Sequence, residues 1–300
     1  MKIRCALVIA LAVVSLRAAA QDQTVFMDVA AENLFRFSRA AISGGGKTVH
    51  SLRTLILKGR SRFVADDTGG LAGAAVEIKL LLPDHYLRTD TSGVLQKMAG
   101  YAGSRVLSAM HDDGAVNYPP DGLVKQILLN ERLRVARLLL GAATYVGPDL
   151  ALTFRSVPKS VEMVDPRVSA RTALTIENSS AEPFVTLVTG DRFAARLVID
   201  GSTHAPTQIE YTGQDKNPVV VTFSDRREVA GLLMPFRIVT TSNGRIVDEL
   251  VLDEILVNPE LSKSDFKRYQ PVAQVELFLV ITTNPGIIVP ERDSRTRDSR

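Results

Sequence analysis

The 300-residue sequence has one cysteine, no tryptophan and four histidines, and each scarcity excludes something. The cysteine, Cys5, sits inside a segment with the marks of a secretory signal. Lys2 and Arg4 open it, an apolar run covers 5–16, and Ala18-Ala19-Ala20 precede Gln21. That run is too short for a spanning helix. Removal of residues 1–20 leaves a chain with no cysteine, so no disulfide and no thiolate metal site. An exported chain of this kind fits a bacterial periplasm better than a disulfide-rich extracellular scaffold. Cys5 opens the apolar run instead of marking the cleavage point, so the expected product is soluble and not lipid-anchored.

The sequence also lacks a charge excess. It holds 36 basic and 33 acidic residues. The signal removes Lys2, Arg4 and Arg17 and no acid, which leaves 33 of each. A neutral chain gives no ground for expecting nucleic acid as a partner. No second long apolar stretch is present; 275–281 has strand length.

Motifs for chemistry are equally sparse. The stretch "SGGGKTVHSL" (43–52) resembles a phosphate loop, but the glycine required five residues before Gly46 is Ala41. A phosphate loop also follows a strand and opens a helix. Here a helical pattern precedes the glycines and a strand pattern follows, so the glycines read as a helix stop, and no nucleotide is expected. His111-Asp112-Asp113-Gly114 has turn composition and is not read as a metal site. His85 and His204 flank predicted turns and are expected to be solvated. A serine elbow of the Gly-x-Ser-x-Gly type is absent. The pairs Asp248-Glu249 and Asp253-Glu254 fall in a strand pattern, where neighbours face opposite ways, and read as a solvated edge. No catalytic residue, metal or cofactor is assigned, and the protein is not read as an enzyme.

Two helices and many strands are present instead. Over 28–42, Ala31, Leu34, Phe35, Ser38, Ala41 and Ile42 share a helical face, with Asp28 as the cap. Over 122–143, Val124, Leu128, Val135, Leu139 and Ala142 form a stripe that Leu123, Ile127 and Leu138 widen, with Lys125, Arg132, Arg134 and Arg137 lying largely off it. Alternation predicts strands over 53–64, 75–82, 86–91 and 105–110. Others are predicted over 152–157, 171–177, 184–189, 193–200, 207–212, 219–224, 236–241 and 245–258. Asn243-Gly244 is a hairpin signal and Asp200-Gly201 a second tight turn. With no linker or repeat in view, residues 21–270 are expected to form one domain. Residues 271–300 are expected to add a strand and a disordered charged tail. The fold class is mainly β (α+β): an antiparallel meander with one apolar face that both helices cover, long enough to twist and curl.

Four stretches resemble the periplasmic outer-membrane lipoprotein-sorting proteins, the LolA/LolB-like superfamily, and in particular its longer exported relatives. They are "GGGKTVHSLRTLILKGR" (44–60), "VEIKLLLPDHYLRTD" (76–90), "RLVIDGSTHAPTQIEYTG" (196–213) and "VVVTFSDRREVAGLLMPFRIVTTSNGRIVDELVLDEILVNPELSKSDF" (219–266). The likeness spans about residues 28–269. It implies a curved antiparallel half-barrel capped by helices, with an apolar cavity for acyl chains.

On that basis the expected function is passive carriage or chaperoning of a lipid or lipoprotein in the periplasm. Leu123, Val124, Ile127, Leu128, Val135 and Leu139 would supply a lid, and Leu55, Leu57, Val76, Ile78 and Leu80 a floor. An envelope membrane protein would load or unload the cargo. The alternative is a non-enzymatic envelope module with a closed, packed half-barrel that recognises a protein partner or signal.

Overall fold

The computed structural model describes residues 24–43, 47–64, 71–112, 115–148, 150–157 and 183–267. The expected signal (1–20), the glycine run 44–46, the predicted strand 171–177 and the segment 271–300 lie outside the described residues. No helix among the described residues is long and apolar enough to cross a membrane.

The first helix, α1 (Val29–Ser43), buries Ala31, Leu34, Phe35, Ser38 and Ile42. Its cap is Asp28, as the sequence predicts: Asp28 Oδ1 accepts the Ala31 N–H at 2.7 Å. The same carboxylate accepts the Ser156 N–H at 3.0 Å and the Ser156 hydroxyl at 2.8 Å, so the cap also ties α1 to the sheet. A four-residue helical segment, α2 (Lys47–His50), follows the glycines before the first long strand. The expectation that the glycines lead straight into a strand is corrected by that one turn.

Among the described residues, fifteen strands form one sheet. In chain order they are β1 (Val25–Phe26), β2 (Thr54–Val64), β3 (Leu71–Leu81), β4 (His85–Ser92), β5 (Leu95–Ala102), β6 (Arg105–Val106), β7 (Ala109–Asp112), β8 (Ala115–Asn117), β9 (Thr153–Val157), β10 (Phe184–Gly190), β11 (Phe193–Ile199), β12 (Pro206–Thr212), β13 (Pro218–Val229), β14 (Leu232–Ser242) and β15 (Arg245–Val257). Their order is β1-β9-β10-β11-β12-β13-β14-β15-β2-β3-β4-β5-β7-β8, with β6 beside β5. Every pairing is antiparallel except β1 with β9. Two meanders, one from each half of the chain, meet where β15 pairs with β2, Val257 opposite Leu55. The sheet is curved and open, not closed into a barrel.

Asn243 and Gly244 carry φ values of 48° and 75° between β14 and β15, the paired left-handed geometry of a two-residue hairpin turn. Ala230 and Gly231, at 51° and 78°, make a second such turn between β13 and β14. That turn lets both strands run well beyond 219–224 and 236–241, the bounds predicted from alternation. β5, "LQKMAGYA", has no predicted counterpart. Gln96, Lys97 and Gly100 blur its alternation, and tertiary pairing to β4 holds it. The single strand predicted over 105–110 divides at 107–108 into β6 and β7.

A 3-10 turn (Asp121–Leu123) leads into the second long helix, α3 (Val124–Ala143). Apolar residues of α1, α3 and strands from both meanders form one continuous core, including Phe35, Leu139, Leu55, Ile78, Phe193, Phe223 and Leu252. A smaller cluster of Leu87, Met98, Leu107 and Phe266 packs separately. Leu87 alternates with Tyr86 along β4, so this cluster lies on the other face of the sheet. Phe266, fully buried, plugs it, with His85 edge-on at 5.2 Å. His85 is buried and contacts Asp84 at 2.6 Å. The expectation of a solvated His85 is corrected: the closing segment of the chain folds over it.

Candidate functional site

The face that carries the helices has an apolar part and a polar part. The apolar part lies beneath the C-terminal half of α3. Register places Leu55 opposite Leu80 and Leu57 opposite both Ile78 and Ile255, so alternate residues of β2, β3 and β15 make one greasy surface. Leu55, Leu57, Val76, Ile78 and Leu80 are all buried in it. Between this floor and α3 is a cavity of about 10 Å³, the room of about one water molecule. Leu55, Leu57, Leu80, Leu138, Leu139, Ala142, Met234, Pro235, Ile238, Leu252 and Ile255 line it. Of the eleven residues expected to hold an acyl chain, the cavity thus brings together Leu55, Leu57, Leu80 and Leu139. Val76 and Ile78 lie in the surrounding core.

The other lid residues grade outward along α3. Val135 and Leu139 are buried, Leu128 is half-buried against the core, and Val124 and Ile127 are half-buried. Leu123, in the 3-10 turn, is 53% exposed. Burial in α3 is confined to Val135 and Leu139–Ala143. The helix therefore docks firmly by its C-terminal third and stands partly free at its start.

Two features fix the docked end. A Cβ on Gly141 would fall 2.1 Å from Phe223 Cε2, so the absence of a side chain there lets α3 lie close on β13. Arg226, from β13, donates to the carbonyls of Gly141 (2.9 Å) and Ala142 (3.0 Å) and to those of Leu233 and Pro206. These include orphan acceptors at the negative end of the helix. Burial lowers the Arg226 pKa to about 10, so it is still charged at neutral pH. Thr144, at φ 52°, completes the left-handed cap.

The polar part lies under the middle of α3. Period two along β4 puts Tyr86, Arg88 and Asp90 on the helix side. Arg88 donates to Asp90 through Nε (2.7 Å) and Nη2 (2.9 Å), and to Asp248 through Nη1 (2.6 Å) and Nη2 (3.0 Å). Ser61, fully buried, donates to Asp90. Burial opposes the Arg88 charge, but the two carboxylates outweigh it and hold the pKa above its ordinary value. Above this cluster, Arg134 of α3 donates to Glu131 at 2.6 Å and to the Tyr86 hydroxyl. Burial pushes Tyr86 up to about 12 despite Arg134, so its hydroxyl stays protonated at neutral pH. Arg132 lies 5.7 Å from the Tyr101 ring and donates to the Gly103 carbonyl.

These contacts correct two expectations. Arg134 and Arg137 do not lie off the packed face of α3: Arg134 turns onto Tyr86, and Arg137 onto Tyr211 and Phe193. Long arginine stems reach aromatic rings that helical periodicity does not register. Asp248-Glu249 is not a solvated edge either. The two residues do face opposite ways, but Asp248 joins Arg88, and Glu249, itself buried, pairs with Arg62 and Arg237. Asp253 and Glu254 are exposed beside Arg60 and Lys58.

No protein-family model matches the chain, and no curated protein matches it. Among solved structures it is similar to a domain from Vibrio parahaemolyticus assigned as an outer membrane lipoprotein-sorting protein, at 10% identity and a TM-score of 0.46. It is also similar to a LolA superfamily protein from Nitrosomonas europaea (13%, 0.45) and to a DUF1329 family protein from Desulfovibrio piger (7%, 0.44). Each likeness covers 79% of this chain and 97% of the other. The likenesses are loose, and the fold assignment rests on the strand order and register above.

Proposed function

We propose that this protein is a non-enzymatic periplasmic carrier or chaperone that holds an acyl chain of a lipid or lipoprotein between α3 and the apolar part of the sheet. The carrying observation is the cavity itself: it is lined by apolar residues of both lid and floor, with no polar lining surface. At about 10 Å³ it has room for about one water molecule, and it admits an acyl chain only if α3 moves off the sheet. Arg226 and the close approach at Gly141 hold the end of the helix that lies over the cavity, so entry requires that contact to loosen together with those of Arg132 and Arg134 nearer the helix middle. Leu128, Val124 and Ile127 would move with the helix, and Leu55, Leu57 and Leu80 would receive the chain. Val76, Ile78, Val135 and Leu139 would shape the space around it, and Leu123 would meet solvent or membrane.

Burying an acyl chain from water is worth about 0.8 kcal/mol per CH₂. A chain in a bilayer already has that stabilisation, so transfer into the cavity is near balance. An envelope membrane protein would therefore load and unload the carrier.

Leu128→Glu places a charge on the half-buried part of the lid, away from the contacts of Arg226 and Gly141. It is expected to abolish uptake of a fluorescent acyl probe while the protein keeps its fold, seen as an unchanged circular dichroism spectrum, at a lower melting temperature. Unchanged uptake would remove α3 from the site. The small volume of the cavity favours a second reading, a packed half-barrel that binds a protein partner. In that case neither wild type nor variant takes up the probe.

A further inference from the structure

Residues 33–65 hold seven lysines and arginines and no aspartate or glutamate. The structure balances the second half of that run and not the first. On β2 each cation meets a carboxylate of β15: Lys58 meets Glu254 at 2.9 Å, Arg60 meets Asp253 at 3.9 Å and Arg62 meets Glu249 at 3.3 Å. On α1, exposed Arg36 donates to the Asn33 amide oxygen at 3.1 Å. After α2, exposed Arg53 donates to the carbonyls of His50 (2.9 Å) and Leu52 (3.1 Å). Neither arginine has a carboxylate partner among the described residues. The nearest carboxylates earlier in the chain are Asp28, which caps α1, and Glu32, one turn before Arg36. The cations form one surface. Arg39, one turn after Arg36, lies 3.5 Å from Nε2 of exposed His50, whose carbonyl Arg53 bonds. Phe37 is 47% exposed with the Arg36 guanidinium 5.6 Å from its ring, and Ala40 is exposed beside them.

We infer that this outer side of α1 and α2 rests on a bilayer surface that carries anionic phospholipid. The inference does not depend on acyl-chain binding under α3. A guanidinium takes phosphate oxygens in its plane, and Arg36 and Arg53 stand in water with donors to offer. A fluid array of phosphates meets arginines at any spacing, so this surface needs no shaped cleft, as an acidic protein partner would require. An exposed ring among cations suits the boundary where head groups give way to acyl chains. The chain without residues 1–20 is neutral, so the attraction is local to this patch and acts within a Debye length of the membrane.

The test is co-sedimentation of the protein with two kinds of vesicle, phosphatidylcholine alone and phosphatidylcholine with about a third phosphatidylglycerol. The wild type is expected to partition roughly tenfold more strongly onto the anionic vesicles, an advantage lost at high salt. Arg36→Gln, an exposed change, is expected to weaken that binding roughly fivefold, and Arg53→Gln added to it to weaken it by a similar factor again. Arg245→Gln is the control. Arg245 is exposed beside the Asn243-Gly244 turn, at the other end of β14 from the Gly231 turn, where an added Cβ would lie 3.7 Å from Thr48 Oγ1 of α2. The control is expected to bind as the wild type does. Equal wild-type partition onto both vesicles overturns the inference, as does unchanged binding in Arg36→Gln. A loss in Arg245→Gln as large as that in Arg36→Gln also overturns it, by showing an effect of total charge. A wild type that binds neither vesicle overturns it and leaves the patch to an acidic protein. The Arg36 and Arg53 variants are expected to keep wild-type uptake of the acyl probe, so failure here leaves the carrier reading standing.

Discussion

The same face of one sheet is greasy beneath the end of α3 and ionic beneath its middle. Under the C-terminal third, Leu55, Leu57, Leu80, Leu252 and Ile255 meet Leu139 and Ala142 around a space of about 10 Å³. Under the middle of the helix, Arg88, Asp90, Asp248 and Ser61 bond one another, while Arg134 and Glu131 close over Tyr86. Apolar packing is non-directional and yields to a ligand of similar polarity. A buried, bonded ion cluster does not, because separating its members leaves charges without water or partners. The difference teaches how the sheet keeps its shape if the helix lifts. The ionic cluster, shared by β2, β4 and β15, holds together strands from both meanders across the β15–β2 seam, and its direct contacts are within the sheet, not to the helix.

The largest effect is expected on the ionic side. Arg88→Met leaves the Asp90 and Asp248 carboxylates facing each other and should cost about 3–5 kcal/mol in denaturant unfolding. Adding Asp90→Leu and Asp248→Leu should recover most of that loss. A single variant of wild-type stability would show that the cluster is not what fixes the seam. On the apolar side, Gly141→Ala sets a methyl group against Phe223 and should cost about 1–3 kcal/mol. It should also loosen α3, seen as faster amide exchange over 135–143 and unchanged exchange in β4. Slower exchange there would contradict the close approach of helix and sheet.

The smallest effect lies outside both regions. Burial tends to raise the Asp28 pKa, but hydrogen bonds from Ala31 and Ser156 outweigh it and lower the pKa below the ordinary value. A carboxylate lowered by folding stabilises above its unfolded pKa of about 3.9, and this is lost as pH falls through the folded value. Asp28→Ala should cost about 1 kcal/mol at pH 7 and progressively less in acid below pH 4. Asp28→Asn should keep most of the cap and lose that pH dependence. Equal costs at pH 7 and pH 3 would mean that the charge takes no part.

Much of the fold was legible in the sequence for physical reasons. The stripe from Ala31 to Ile42, the alternation of Val76, Ile78 and Leu80, and the Asn243-Gly244 turn are local signals, and each produced its element. β5 was not legible because Gln96, Lys97 and Gly100 alternate poorly, and pairing with β4 defines the strand. Floor residues could be named because a strand with one apolar face has a determined side. The ionic cluster could not, because Ser61, Arg88, Asp90 and Asp248 come together only through register across β15, β2, β3 and β4. A partial signal existed: Arg88 and Asp90 share a face with Tyr86 and oppose Leu87, which marks a polar interruption of an inward face. Arg226 left no such signal, since its partners are backbone carbonyls of a helix far away in sequence.

The central claim is that the space under α3 opens to hold an acyl chain. Native mass spectrometry of gently purified protein, with solvent extraction of anything bound, tests it most directly. One lipid or acylated molecule per chain is expected, or its uptake on incubation with lipid vesicles and acylated peptide. A bare mass that stays bare after both incubations would rule out acyl-chain binding and leave a packed half-barrel whose partner is a protein.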